Sequence, residues 1–251
     1  MGDLVLQSYG CTDIGHQRSC NEDYIEIKDS LFVLADGMGG HNAGDIASRL
    51  AVETIIDFFD STKRKKSFES DNNKIQDAIE HTIIKTNKLV YQQSLNDQRL
   101  EGMGTTIVLA FFQKPGTMHI ANVGDSRAYL LRDDTLKLLT EDHSVTASLL
   151  RDGTISKVEA KTHPYRHHLT RSIGTSNEIK PFTTFFNVSI GDKLLLCSDG
   201  LWNVLSDEDI IALLQKNVDS KKICNLLTKR ANELQSKDNV SSIVIDITEQ
   251  K

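Results

Sequence analysis

Proline is scarce in this chain, 3 in 251 residues, and glycine stops at 15. A collagen-like or low-complexity polymer is thereby excluded, and a composition 39% hydrophobic and 25% charged argues against net disorder. Cysteine is limited to Cys11, Cys20, Cys197 and Cys224, with no CxxC pair, so a disulfide scaffold and a structural zinc site both lack their spacing. These thiols read as reduced, small apolar packing groups. Long hydrophobic runs are missing too: the stretch 107–112 falls far short of the ~18 residues a membrane helix needs. The opening MGDLVLQSYG has no basic segment leading into a long apolar core, so no signal peptide is expected. Gly2 would suit N-myristoylation, but Leu6 stands where that modification wants Ser or Thr. There is no basic excess either. The 29 basic and 35 acidic side chains leave a net charge of −6, against general nucleic-acid binding. The expectations are a cytoplasmic chain with no membrane and no nucleic-acid partner.

What is present is a pattern of short strands interrupted by long helices. Residues 4–13 and 23–36 read as strands, and 42–59 as a helix. Asn42 can cap that helix, Asp45 occupies the capping-box position, and Ile46, Leu50, Ile55 and Phe58 mark its apolar face. The polar stretch 60–73, with Lys63-Arg64-Lys65-Lys66, reads as a solvated loop. Ile75, Ile79, Ile83, Thr86 and Val90 mark a second helix. A strand-rich block over 104–139 turns at Lys114-Pro115-Gly116, and 143–180 is less regular. Strands return over 181–197. Helices follow near 207–215 and 219–234, the first opened by Ser206-x-x-Asp209, and a strand over 240–247 closes the pattern. Neighbouring strands able to form hairpins favour an α+β fold with mainly antiparallel sheets. No repeat or long linker divides 1–251, which reads as a single domain.

Acids recur at the ends of apolar runs. Phe32-Val33-Leu34-Ala35 stops at Asp36-Gly37, the run 119–124 stops at Asp125-Ser126, and Leu194-Leu195-Leu196-Cys197-Ser198 stops at Asp199-Gly200. Asp238 precedes the last strand, and Glu22 and Asp23 precede an earlier one. One such Asp is read as a turn residue; three uses of the same device strain that reading. A carboxylate at the end of a buried strand is costly unless it is paired or binds a cation. Oxygen donors of this kind suit Mg²⁺ or Mn²⁺. The glycine-rich segment 36–44 leads into a helix N-terminus, which favours anions. It has no Walker lysine, and Asn42 replaces the third glycine of GxGxxG, so a metal-and-phosphate loop is the reading left open.

In order along the chain stand TDIGHQRSCNED (12–23), ADGMGGHNAGDIAS (35–48), MGTT (103–106), ANVGDSRAYLL (121–131), DHS (142–144), LTRSIG (169–174), DKLLLCSDGLWN (192–203) and KDNVSSIVI (237–245). This ordered set resembles the type-2C metal-dependent protein serine/threonine phosphatases, in particular their short bacterial group. The resemblance implies a four-layer αββα sandwich, two central sheets flanked by helix pairs. It implies two Mg²⁺ or Mn²⁺ ions and a third, weaker one. Asp36 would bridge the first two ions, the Gly37 carbonyl would ligate the first, and Asp199 and Asp238 the second. Glu22 and Asp23 would hold waters of the first ion, Asp125 would share the third with Asp199, and Arg18 would grip the substrate phosphate. Phosphoprotein substrates, an opposing Ser/Thr kinase and a monomeric state are implied as well, with water attacking and no covalent phosphoenzyme. Many eukaryotic members carry a His where this chain has Met38. That leaves His41, His163 or a coordinated water as the candidate general acid. Residues 145–168 would form a flap.

Other motifs read as structural. Cys224-x5-Arg230 has the bare spacing of a cysteine phosphatase but Ile223 in place of the preceding His, within a helical pattern. Met38 stands where an aspartyl-phosphate device would need a second Asp. Asp142-His143-Ser144 are adjacent, unlike the distant partners of a hydrolase triad. Leu201 and Trp202 read as core anchors, His167 and His168 as a surface pair.

Overall fold

The computed structural model describes residues 4–39, 43–60 and 71–249. Its strands are β1 (Leu4–Asp13), β2 (Asp23–Lys28), β3 (Leu31–Met38), β4 (Gly104–Thr105), β5 (Ile107–Gln113), β6 (Thr117–Val123), β7 (Arg127–Arg132), β8 (Thr135–Leu138), β9 (Phe182–Asn187), β10 (Lys193–Cys197) and β11 (Val240–Glu249). The helices are α1 (Ala43–Asp60), α2 (Asn72–Asn96), α3 (Val145–Arg151), α4 (Lys157–Thr162), α5 (Asp199–Trp202), α6 (Asp207–Leu214) and α7 (Ser220–Glu233). One sheet runs β1-β11-β10-β7-β8 and the other β2-β3-β5-β6-β9, with β4 on β3. All these pairings are antiparallel.

The period-2 alternation of the strands builds three apolar layers. In β3, Leu31, Val33 and Ala35 face α1 and α2, while Phe32 and Leu34 face the other sheet. Leu194 and Leu196 of β10 fill the space between sheets; Leu195 and Cys197 pack toward α6 and α7. Strands covered on both faces read as continuous apolar runs, as 31–35 does. Each fully buried Leu, Ile or Phe contributes roughly 1.5–3 kcal/mol, so three such layers dominate the stabilising side of the fold. The result is the αββα order.

Two expectations change in detail. The stretch 23–36 is a hairpin rather than one strand: Lys28 pairs with Leu31, and Asp29 takes a left-handed backbone (φ 53°) in the tight turn. The buried face of α1 is carried by Ala43, Ala47, Ala51, Val52, Ile55, Ile56 and Phe59, whereas Ile46 is exposed. Of the expected face, Ile55 is fully buried and Leu50 and Phe58 are partly buried against the same cluster, while Ala43, Ala47 and Ala51 let the helix lie close on β3. Asn42, the expected cap, and Lys63-Arg64-Lys65-Lys66 lie outside the described residues.

The remaining helices begin as expected. Ser206 and Asp209 form a capping box at α6, and Ile75, Ile79, Ile83, Thr86 and Val90 are all buried along α2. The irregular region holds α3, capped by Ser144, and α4, capped by Ser156 with Glu159. Among the described residues no helix is long and apolar enough to cross a membrane.

Candidate metal centre

Antiparallel register delivers the acids to one end of the sandwich. Asp23, the first residue of β2, pairs with Asp36 near the end of β3. In the other sheet the end of β10 pairs with the starts of β7 and β11: Cys197 lies opposite Arg127 and Ser242. Asp125 in the β6–β7 turn, Asp199 after β10 and Asp238 before β11 therefore share that end. Cross-links fix the two sheets together there. Ser198 Oγ donates to Asp23 Oδ2 (2.8 Å), Glu22 N–H donates to Asn239 Oδ1 (2.9 Å), and the Thr106 and Ser126 hydroxyls meet at 2.7 Å. Thr106 N–H in turn donates to the Asp36 carbonyl (2.8 Å).

Two glycines permit this closeness. A Cβ at Gly37 would overlap the Gly44 carbonyl, where α1 begins. A Cβ at Gly200 would overlap the Asn239 carbonyl, where α5 rests on the backbone beside Asp238. No side chain fits either gap.

The electrostatics are those of acids short of counter-charge. Burial and then the charges of Asp23, Asp199, Asp125 and Asp238 push the Asp36 carboxyl well above the usual range. Burial, then Asp125 and Asp238, does the same to Asp199. Asp125 is pushed up to about 7 by burial and Asp142, and Asp23 to about 6 by burial, against the hydrogen bonds of Ser241 and Ser198. Arg18 answers part of this charge: its Nη2 donates to Asp238 Oδ2 at 2.6 Å, and Nη1 lies 3.9 Å from Glu22.

The donors fit a hard divalent cation. Asp23 and Asp199 each commit one carboxylate oxygen, to Ser198 and Asn203 respectively. Their other oxygens, Oδ1 in both, are buried without a hydrogen-bond partner among the described residues. Orphaned buried carboxylate oxygens are costly alone and suited to a cation. Among the described residues no three His, Cys, Asp or Glu side chains are closed into a ready ion cage.

A family model described as protein phosphatase 2C matches residues 14–238. The chain belongs to the protein phosphatase 2C family. A serine/threonine phosphatase from Listeria innocua is 36% identical over 240 residues, covering 94% of this chain and 93% of that protein. The Mycobacterium tuberculosis serine/threonine phosphatase PstP/Ppp superposes with a TM-score of 0.88 at 33% identity, over 98% of this chain and 99% of the other. A PstP catalytic domain in complex with two manganese ions superposes with a TM-score of 0.86 at 32% identity, over 98% and 100%. The chain is thus a metal-dependent protein phosphatase, and the four-layer order is that of its relatives.

Around the acids of this phosphatase lie groups whose role the sequence did not disclose. Trp202 Nε1 donates to the Asp125 carbonyl (3.0 Å), and the Arg127 guanidinium lies 3.5 Å over the same indole. Arg127 also grips Asp142 with bonds of 2.7 and 3.1 Å. Trp202 therefore ties the Asp125 turn to the helix that begins at Asp199, beyond the packing role expected of it. His143 Nδ1 accepts from Gly124 N–H (3.2 Å), so Asp142-His143-Ser144 support the Asp125 turn and cap α3.

The histidines separate. His163 closes α4, where its Nδ1 accepts from Tyr165 N–H (3.2 Å) and its ring lies 5.8 Å from that of Tyr165. In the same segment His167 and His168 are both exposed, as a surface pair; burial and then Arg166 lower the His167 pKa, and the charge of Asp238 opposes them. His41 lies outside the described residues. Cys224 and Leu227 are buried in the inner face of α7, as packing required.

Proposed function

We propose that this phosphatase hydrolyses phosphoserine and phosphothreonine esters of proteins at the acidic end of its sandwich, with two Mg²⁺ or Mn²⁺ ions and a third held more weakly. Asp36, the Gly37 carbonyl, Asp199 and Asp238 would hold the first two ions, with Glu22 and Asp23 behind them. Asp125 would join Asp199 at the third. One observation supports the reading: burial and then the charges of Asp23, Asp199, Asp125 and Asp238 raise the Asp36 pKa at one place, and Asp23 and Asp199 each keep a buried oxygen unpartnered. When bound, such cations supply Lewis-acid activation of water and neutralise charge on phosphoryl oxygens.

The protein groups do the positioning. Arg18 presents a planar fork able to meet two phosphate oxygens, and it already sits at this site on Asp238. Water attacks in line, opposite the leaving Ser or Thr oxygen, and no side-chain nucleophile is needed. Cys224 is unsuited to that part, being buried with its thiol bonded to the Tyr9 carbonyl. The proton for the leaving oxygen falls to His41, His163 or a water. Residues 145–168 act as a flap, and the physiological setting is opposition to a Ser/Thr kinase.

The test is hydrolysis of a small aryl phosphate and of phosphoserine and phosphothreonine peptides. Turnover with Mn²⁺ or Mg²⁺ that a chelator abolishes is expected. No turnover with either cation overturns the reading.

A further inference from the structure

Cys11 of β1 and Cys224 of α7 lie in and against one apolar cluster on the helix side of the sheet. Cys11 is opposite Ser242 in the β1–β11 register, and the Cys224 thiol donates to the Tyr9 carbonyl at 3.1 Å and the Ser242 carbonyl at 3.9 Å. Both sulfurs thus sit against the same strand pair. The Cys11 thiol donates to Oδ1 of Asn225, the residue after Cys224, at 3.3 Å. Cys11 is half-buried and Cys224 buried. Asn225, the hydrogen-bond partner of Cys11, lines a surface cleft of about 500 Å³ together with Thr228 and Asn232. The neighbouring Cys224 thiol, opposed by burial, brings Cys11 down to about 7, while Cys11 and burial push Cys224 up. Of the two, Cys11 is favoured as the thiolate and Cys224 as the protonated thiol. Phosphate hydrolysis uses neither.

We propose that Cys11 and Cys224 form an oxidisable dithiol, a modification site for hydroperoxides, in which Cys11 reacts first through the cleft and Cys224 resolves it to a disulfide. The Cys11 thiolate takes an oxygen from hydrogen peroxide: the S–O bond forms, the O–O bond breaks and hydroxide leaves. Cys224 then loses its proton and attacks the Cys11 sulfur, so that S–S forms, S–O breaks and the oxygen leaves as water. Two thiols give up two electrons, and the peroxide takes them to become two waters. The bond joins the strand that runs on toward Arg18 to the helix that runs on toward Asp238.

The reduced full-length phosphatase is treated with hydrogen peroxide and digested without reductant. A Cys11–Cys224 cross-linked peptide is expected, with Cys197 still titrating as a free thiol. In Cys224→Ser, dimedone labels Cys11 as the sulfenic acid; in Cys11→Ser neither product forms. A wild-type protein that yields no 11–224 link overturns the proposal. So does a Cys224→Ser protein, folded by circular dichroism, whose dimedone label falls on Cys20 and not on Cys11. The wild-type digest decides the matter even where a variant fails to fold.

Discussion

Arg18 Nη2 donates to Asp238 Oδ2 across 2.6 Å, although 220 residues separate the two. The guanidinium proposed to bind phosphate is thus held at the acids by one of them. It stands half-exposed there, free on its outer side to meet a ligand.

Arg18→Ala is expected to raise KM for a phosphopeptide by roughly 1–3 kcal/mol of lost charged hydrogen bonding, with kcat less affected. Steady-state kinetics with saturating Mn²⁺ measure it. An unchanged KM removes Arg18 from phosphate binding.

Asp199→Asn is expected to lower metal-dependent turnover by about 100-fold or more, at or beyond the upper end for groups that support metal ligands. The fold survives, because the amide relieves repulsion among buried acids. Titration of Mn²⁺ by calorimetry should show weaker binding and circular dichroism an unchanged spectrum. Turnover at the wild-type level would exclude Asp199 as a ligand.

Arg127→Ala leaves Asp142 nearly buried and unpaired and strips the face of Trp202. Loss of about 3 kcal/mol in urea unfolding is expected, as for a broken buried pair. Trp202→Phe keeps a ring beneath Arg127 and deletes only the N–H to Asp125, so it should cost about 1 kcal/mol. If both variants unfold at the wild-type midpoint, this clamp contributes nothing.

His119 is buried between Phe111 and Phe185, and burial lowers its pKa to about 4. Between pH 4 and the ordinary value near 6.5 the unfolded chain binds the proton and the folded chain does not. Stability is therefore intact above pH 6.5 and declines as pH falls through that window, by at most about 1.4 kcal/mol per pH unit from this group. In His119→Phe the Tm difference between pH 7 and pH 5 should shrink. An identical difference would show that His119 does not titrate on unfolding.

The strands β3, β10 and β11, the inner face of α2 and the cap of α6 were all legible, because each depends on residues close to one another in sequence. The acids at strand ends were legible as a residue type in an unusual place, and the ordered motifs assigned them a family. The inner face of α1 was legible only in part: Ile55 is buried as its spacing implied, but Ile46 is exposed and Ala43, Ala47 and Ala51 lie on the buried face. The hairpin at Asp29 was missed although Lys28-Asp29-Ser30 is a polar break in the stretch read as one strand. By itself, then, the chain determined its periodicities, its donors and its kinship. Only the tertiary structure brought Asp36 into the field of Asp199, set Trp202 on Asp125 and placed Cys11 against Cys224. Such contacts follow from strand register and close backbone packing, which bring together residues that no local pattern relates.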